Sequence, residues 1–263
     1  MTYKKLSSRI VPLVLGVVLA GSSALPAFAL TRFLKNSSST GQASSARVAN
    51  LLSRATQEID RRIAALNTLA SRTQSMQKLS DTEKNNISSA IQSQISDMMT
   101  LKAKVEGDSD VATLRADAES ITKSYRIYAL VIPQGAIVAA ADRVMTIADA
   151  MTTVGQKIQT RLSSAQSSGQ DVASLQSAMA DFTAKVSDAT TQAGNAVSGV
   201  SSLVPDQGDP AKLQANTAAL KDARSKIKTA TGDLEAARKD AGTIIKALQA
   251  LGRKASAAST TTP

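Results

Sequence analysis

Arg47, Arg54 and Arg61 recur every seven residues, and Arg72 falls within about 40° of the same line at 100° per residue. On a helix that spacing makes a basic stripe about 130° from the apolar centre. Arginine there can track a chain of phosphates or carboxylates, because its planar fork pairs with their oxygens two contacts at a time. Glu58 lies on the same stripe within reach of Arg54 and Arg62. The competing expectation is therefore a solvated flank whose charges pair among themselves.

Three other groupings could do chemistry. Tyr125 and Tyr128 flank Arg126 in YRIYALVIPQ. Aromatic rings beside a basic group can stack bases or sugars. Both tyrosines also fit an apolar helical stripe, where they read as core residues with hydroxyls at the edge. Asp142 and Asp149 share one helix face, the spacing of paired carboxylates. They sit about 160° from that helix's apolar line, so they are expected to face water as solvated surface. Asp108-Ser109-Asp110 starts like a calcium loop, but Ala112 and Thr113 stand where a third ligand and the turn glycine belong. Capping of the next helix by Asp108-Ser109 is the better expectation.

The chain has 263 residues with no cysteine and no histidine. That removes disulfides, thiolate nucleophiles, the commonest metal ligands and every triad built on Ser-His or Cys-His. No phosphate-cradling glycine loop is present. No catalytic residue, metal ligand or cofactor is assigned.

Residues 1–29 read as an export signal. Lys4, Lys5 and Arg9 precede an apolar run from Ile10 to Ala20, and Ala27-Phe28-Ala29 is an A-x-A cleavage pattern with Leu30 next. An uncut membrane anchor is the alternative, but the strongly apolar run is shorter than the ~20 residues a spanning helix needs. Removal takes away three basic residues and no acid, so the net charge falls from +10 to +7. A moderate positive excess favours polyanions outside the cytoplasm without selecting among them.

Aromatics make up 2% of the chain and tryptophan is absent. Ala, Val, Ile, Leu and Met carry the apolar share, which suits helix-on-helix packing, and no alternating strand pattern appears. The expected fold is all-α: an elongated, antiparallel, up-and-down helical bundle with coiled-coil-like heptad packing. Residues 30–45 read as a polar linker, 46–252 as the bundle, with a division near Pro133 left open, and 253–263 as a disordered basic tail.

Six helices are expected within the bundle. The first runs from about Ser45 to Leu79 on a stripe through Val48, Ile59, Ile63 and Leu69. Ser80-Asp81-Thr82-Glu83 is a capping box that opens the second. Val111, Leu114, Ala118, Ile121, Tyr125, Tyr128 and Ile132 give the third an unbroken stripe, ended by Pro133. The fourth reaches the Ser167-Ser168-Gly169 turn, and Val172 to Leu203 mark the fifth, whose uncharged end at 189–205 is expected to fray. Leu213, Leu220, Ile227, Leu234, Ala241 and Leu248 repeat every seven residues in the sixth.

Export signal, polar linker, capping box, YRIYALVIPQ, the AAADR of Ala139–Arg143 and an Ala-rich heptad helix together resemble predicted exported all-helical bacterial proteins of unknown function. The resemblance implies a secreted or cell-surface setting and carries over no activity or site residue.

The expected function is non-enzymatic: an extracytoplasmic bundle acting in envelope structure, adhesion or partner binding, with a protein partner or self-association through its heptad seams. The alternative is binding of an anionic wall polymer or nucleic acid through Arg47, Arg54, Arg61 and Arg72. No transmembrane segment is expected in the cleaved form. N-terminal sequencing of protein recovered outside the cytoplasm should read Leu-Thr-Arg-Phe-Leu from Leu30; a start at Met1 would mean a retained anchor.

Overall fold

The computed structural model describes residues 41–259, with side chains described for 45–253. Ala27, Ala29 and Leu30, with the rest of the expected leader, lie outside these residues. Ser45 onward belongs to one compact unit, and of the preceding unit only the opening of α1 is described. The described residues form α-helices α1 (Gly41–Ser75), α2 (Asp81–Gly107), α3 (Val111–Lys123), α4 (Ile132–Ser167), α5 (Ala173–Ser201) and α6 (Pro210–Ser259), with no strand. A π-helical turn, Ile127–Val131, leads into α4. The fold is all-α. α6 runs on past Arg253, into the segment expected as an unstructured tail.

Local chemistry accounts for the helix starts. Ser80 and Glu83 cap α2 reciprocally: the Glu83 amide donates to Ser80 Oγ at 3.2 Å and the Ser80 amide to Glu83 Oε2 at 2.8 Å. Asp110, two residues later than expected, caps α3 by accepting from the amides of Ala112 and Thr113 at 2.7 and 3.1 Å. Asp108 instead closes α2. At α6 the Asp209 carboxylate accepts from Ala211 N at 2.8 Å, and Pro210 occupies the first turn, where its missing N–H costs nothing.

The third helix does not run to Pro133. It stops at Lys123, and Arg126 adopts a left-handed backbone with φ +50°. Pro133 then lies in the first turn of α4, directly after the π-helical turn. A proline ring clashes with the carbonyl four residues back, and one wider turn relieves that clash. The break also re-phases the chain: Ile127, Leu130 and Val131 are buried, while Tyr128 is exposed.

Two apolar clusters result. One gathers α1, α2 and α3 around Ile59, Leu66, Met98, Val105 and Leu114. The other gathers α4, α5 and α6 around Val138, Leu162, Phe182, Leu234 and Ile244, and takes in Met76 and Leu79 from the α1–α2 loop. In α5 and α6 the buried positions step by three and four, and Ala189, Ala193, Ala196, Ala223, Ala230 and Ala237 are at most 1% exposed. Among the described elements these two helices share the most extensive contact, and their small side chains suit close packing. Asn216 pairs with Val204 at one end and Lys185 with Asp240 farther along, so α5 and α6 run in opposite directions. The end of α5 is ordered helix with Ala196, Val197 and Val200 buried, not the frayed segment expected.

Glycine matters where helices touch. A Cβ on Gly135 would lie 2.2 Å from Leu69 Cδ1, and one on Gly155 would lie 2.7 Å from the Phe182 ring. Gly194 and Gly199 have nothing within 4 Å. Gly135→Ala should therefore cost about 1–3 kcal/mol by overpacking. Gly194→Ala and Gly199→Ala should each add up to ~1 kcal/mol through helix propensity. Denaturant unfolding midpoints check both signs, and with Leu69→Ala in the background the Gly135→Ala penalty should shrink.

Candidate functional site

The four arginines of the α1 stripe are all exposed. Arg61 pairs with Glu58 at 3.4 Å, while Arg47 and Arg54 each engage other groups of the protein. Their neighbour Arg62 behaves differently. It is 4% exposed, its Nη1 donates to the Glu58 carbonyl at 3.1 Å and pairs with the Glu58 carboxylate, and its guanidinium lies 4.8 Å from the centroid of Tyr128. That geometry is a cation–π contact across α1 and the π-helical turn.

The expected aromatic pair is thus divided. Tyr128 is 45% exposed and covers Arg62, whereas Tyr125 is half-buried, where burial raises its hydroxyl pKa. The reading of both tyrosines as core holds only partly for Tyr125 and fails for Tyr128, because the break at Ser124–Arg126 rotates the later residue outward.

Arg126, between them, reaches away to the α5–α6 loop. Its Nε donates to Asp206 Oδ2 at 2.8 Å, and the Gly208 amide donates to Asp206 Oδ1 at 2.9 Å. Asp206 is 2% exposed. Burial alone would raise its pKa, but the hydrogen bonds from Arg126 and Gly208 and the guanidinium charge outweigh burial and hold it below the ordinary carboxylate value. Gln207 and Gly208 both have positive φ, and Asp209 N donates to Asp206 O at 2.9 Å, which closes a tight turn around this carboxylate. Gln134 Nε2 donates to the Val200 carbonyl at 2.6 Å, a second link from the start of α4 to the end of α5.

Asp142 and Asp149 are both held by Lys78. Asp142 Oδ1 accepts from the Lys78 amide at 2.6 Å, and Asp149 pairs with the ammonium of the same lysine. The α1–α2 loop lies across this face of α4, so Asp142 is half-buried instead of fully solvated. Between α2 and α3, Asp117 is 6% exposed and takes the Lys104 ammonium at 2.7 Å. Burial pushes the Asp108 carboxyl up, and the neighbouring Asp117 carboxylate pushes it further.

A groove of about 480 Å³ between α4 and α5 is lined by Thr152, Gln156, Phe182, Thr183 and Thr190 among others, with no titratable residue. Among the described residues no group of three or more acidic side chains could hold a metal. Among the described residues one stretch, Val111–Ser167, is long and apolar enough by composition to cross a membrane, and it buries Ile137, Val138, Ala141 and Val144 in the second cluster.

No family model matches the chain, and neither a curated protein nor a solved structure does.

Breaking the buried pair should be costly. Asp206→Asn should lose about 3 kcal/mol by leaving Arg126 without its partner charge. Because the folded pKa is lowered, that contribution is present above the unfolded value near pH 4 and fades as pH falls through the folded one. The deficit of Asp206→Asn against the parent should therefore shrink in acid. Asp108 has the opposite sign: its pKa is raised, so its contribution is present in acid and lost as pH rises through the folded value. Asp108→Asn should stabilise at neutral pH and not in acid. Unfolding curves at both pH values check both.

Proposed function

We propose that the protein is exported, is cut after Ala29, and works outside the cytoplasm through its helical surface in envelope structure, adhesion or partner binding. The observation that carries this reading is where the charged groups go. Arg126 and Asp206, Lys104 and Asp117, and Lys78 with Asp142 and Asp149 each join two elements of the fold. Acids and bases used in this way hold the scaffold and present no reacting group to a groove.

The same reading includes left-handed supercoiling of α5 on α6, supported by the three-four step of their buried residues. It also includes a bacterial cell-surface setting, which rests on the leader pattern and on the exported proteins the chain resembles.

The test is direct. Leaderless protein incubated with wall glycans, esters and phosphoesters should give no turnover above the blank. Crosslinking on intact cells should recover a partner or a second copy of the chain. Turnover that co-purifies with the protein and disappears when it is unfolded would overturn the proposal.

A further inference from the structure

Charge is sorted around α6. At 100° per residue, Lys221, Arg224, Lys228, Lys239, Lys246 and Arg253 fall within a sector of about 60°, centred about 130° from the buried line. All six are exposed. Glu235 is the one acid in that sector.

The other acids of α6 are turned elsewhere. Asp222, Asp233 and Asp240 lie about 140° round the helix from the basic sector. Asp240 reaches α5, where Lys185 pairs with it at 2.7 Å, and Asp222 pairs with Lys226 one turn on. Among the described residues none of the six ridge cations makes an ion pair or a side-chain hydrogen bond. The α1 stripe differs, since Glu58 occupies Arg61.

A ridge of this kind selects by charge. From Lys221 to Arg253 it extends about 48 Å along a straight helix, which matches a polymer better than a small anion. α6 contains no Phe, Tyr or Trp, so no ring is available to stack on a base or a sugar. Four of the six are lysines, compact charges that accept many phosphate geometries, where a bidentate arginine would demand one.

We propose that this ridge of α6 binds the backbone of a phosphodiester polymer through charge alone, without reading its bases or sugars. The proposal rests on the surface-acting reading above and names the ligand class for it. Duplex DNA and poly(glycerol phosphate) share that chemistry, and hyaluronate offers a carboxylate polymer for contrast.

The experiment measures binding of leaderless protein to these three polymers by fluorescence anisotropy across a salt series. For duplex DNA the log–log salt slope should be near about −5, from roughly −0.9 per neutralised phosphate over six cations, and equal for two unrelated sequences. Replacing all six residues by glutamine should weaken DNA and poly(glycerol phosphate) binding by more than about 100-fold at low salt. Replacing Arg47, Arg54, Arg61 and Arg72 by glutamine should change it by less than about threefold. A milder Lys228→Gln/Lys246→Gln variant should reduce the slope by about 2, which keeps the test valid if the sixfold variant fails to fold. The tighter of the two phosphodiesters identifies the source.

Binding that is unmeasurable at low salt, that survives both ridge variants, or that is as tight for hyaluronate as for the phosphodiesters overturns the proposal. Loss of the ridge in that way leaves the surface-acting reading intact, whereas turnover in the assays above removes that reading whatever the ridge binds.

Discussion

Narrow side chains oblige helices to approach closely, and most of this molecule follows from that constraint. With aromatics at 2% of the chain and no disulfide available, packing stability must come from many small contacts at short range. The alanines of α5 and α6 meet the requirement, because each keeps a buried face no wider than a methyl group. Gly135 and Gly155 meet it on α4, where Leu69 and Phe182 occupy the space a side chain would need. Dense packing of this kind leaves little tolerance: an added methyl at Gly135 meets an atom at once, while one at Gly194 meets none.

A second consequence concerns polar groups. The buried line of α1 runs through Ala55, Ile59, Arg62, Leu66, Leu69 and Thr73, so two polar residues stand among apolar ones. Asp117 in α3 and Asn216 in α6 hold similar positions, and Asp206 is buried in the α5–α6 loop. Each residue has a partner, with Glu58 and Tyr128 on Arg62, the Leu69 carbonyl on Thr73, Lys104 on Asp117, the Val204 carbonyl on Asn216 and Arg126 on Asp206, while Arg62 Nε and Asp117 Oδ2 make no hydrogen bond. Burial of such groups without partners would cost several kcal/mol, of order 1–3 for each lost hydrogen bond. For Asp206 and Asn216 the partners come from another segment of the chain, so meeting that need also ties the start of α4 to the α5–α6 loop and that loop to α6.

Much of this was legible in the residues. The capping box at Ser80, the six helices and the three-four lines of α5 and α6 could be read directly, because periodicity and end signals are local. Apolar pattern alone misplaced the end of the third helix, since Val111 to Ile132 keeps a perfect stripe across a break made by Arg126's backbone. It also favoured Ile63 over Arg62, one residue apart, because an arginine on a buried line goes against polarity until its partners are known. The candidate site was less legible. Arg126 and Asp206 lie in separate segments of the chain, and nothing local to PDQGDP announces that its first aspartate will be enclosed. The ridge on α6 went unread in the sequence, because whether its cations are already paired depends on where Asp222 and Asp240 turn.

The central claim is that the alanine-lined approach of α5 to α6 is the part of the molecule on which the rest is assembled. Native-state hydrogen exchange along a denaturant series tests it most directly. The amides of Ala193, Ala196, Ala230 and Ala237 should exchange only through global unfolding, with the full denaturant dependence of the equilibrium transition, while those of α1 should also open locally. Exchange of the α5 and α6 amides through small local openings, at free energies below those of α1 and α2, would contradict the account.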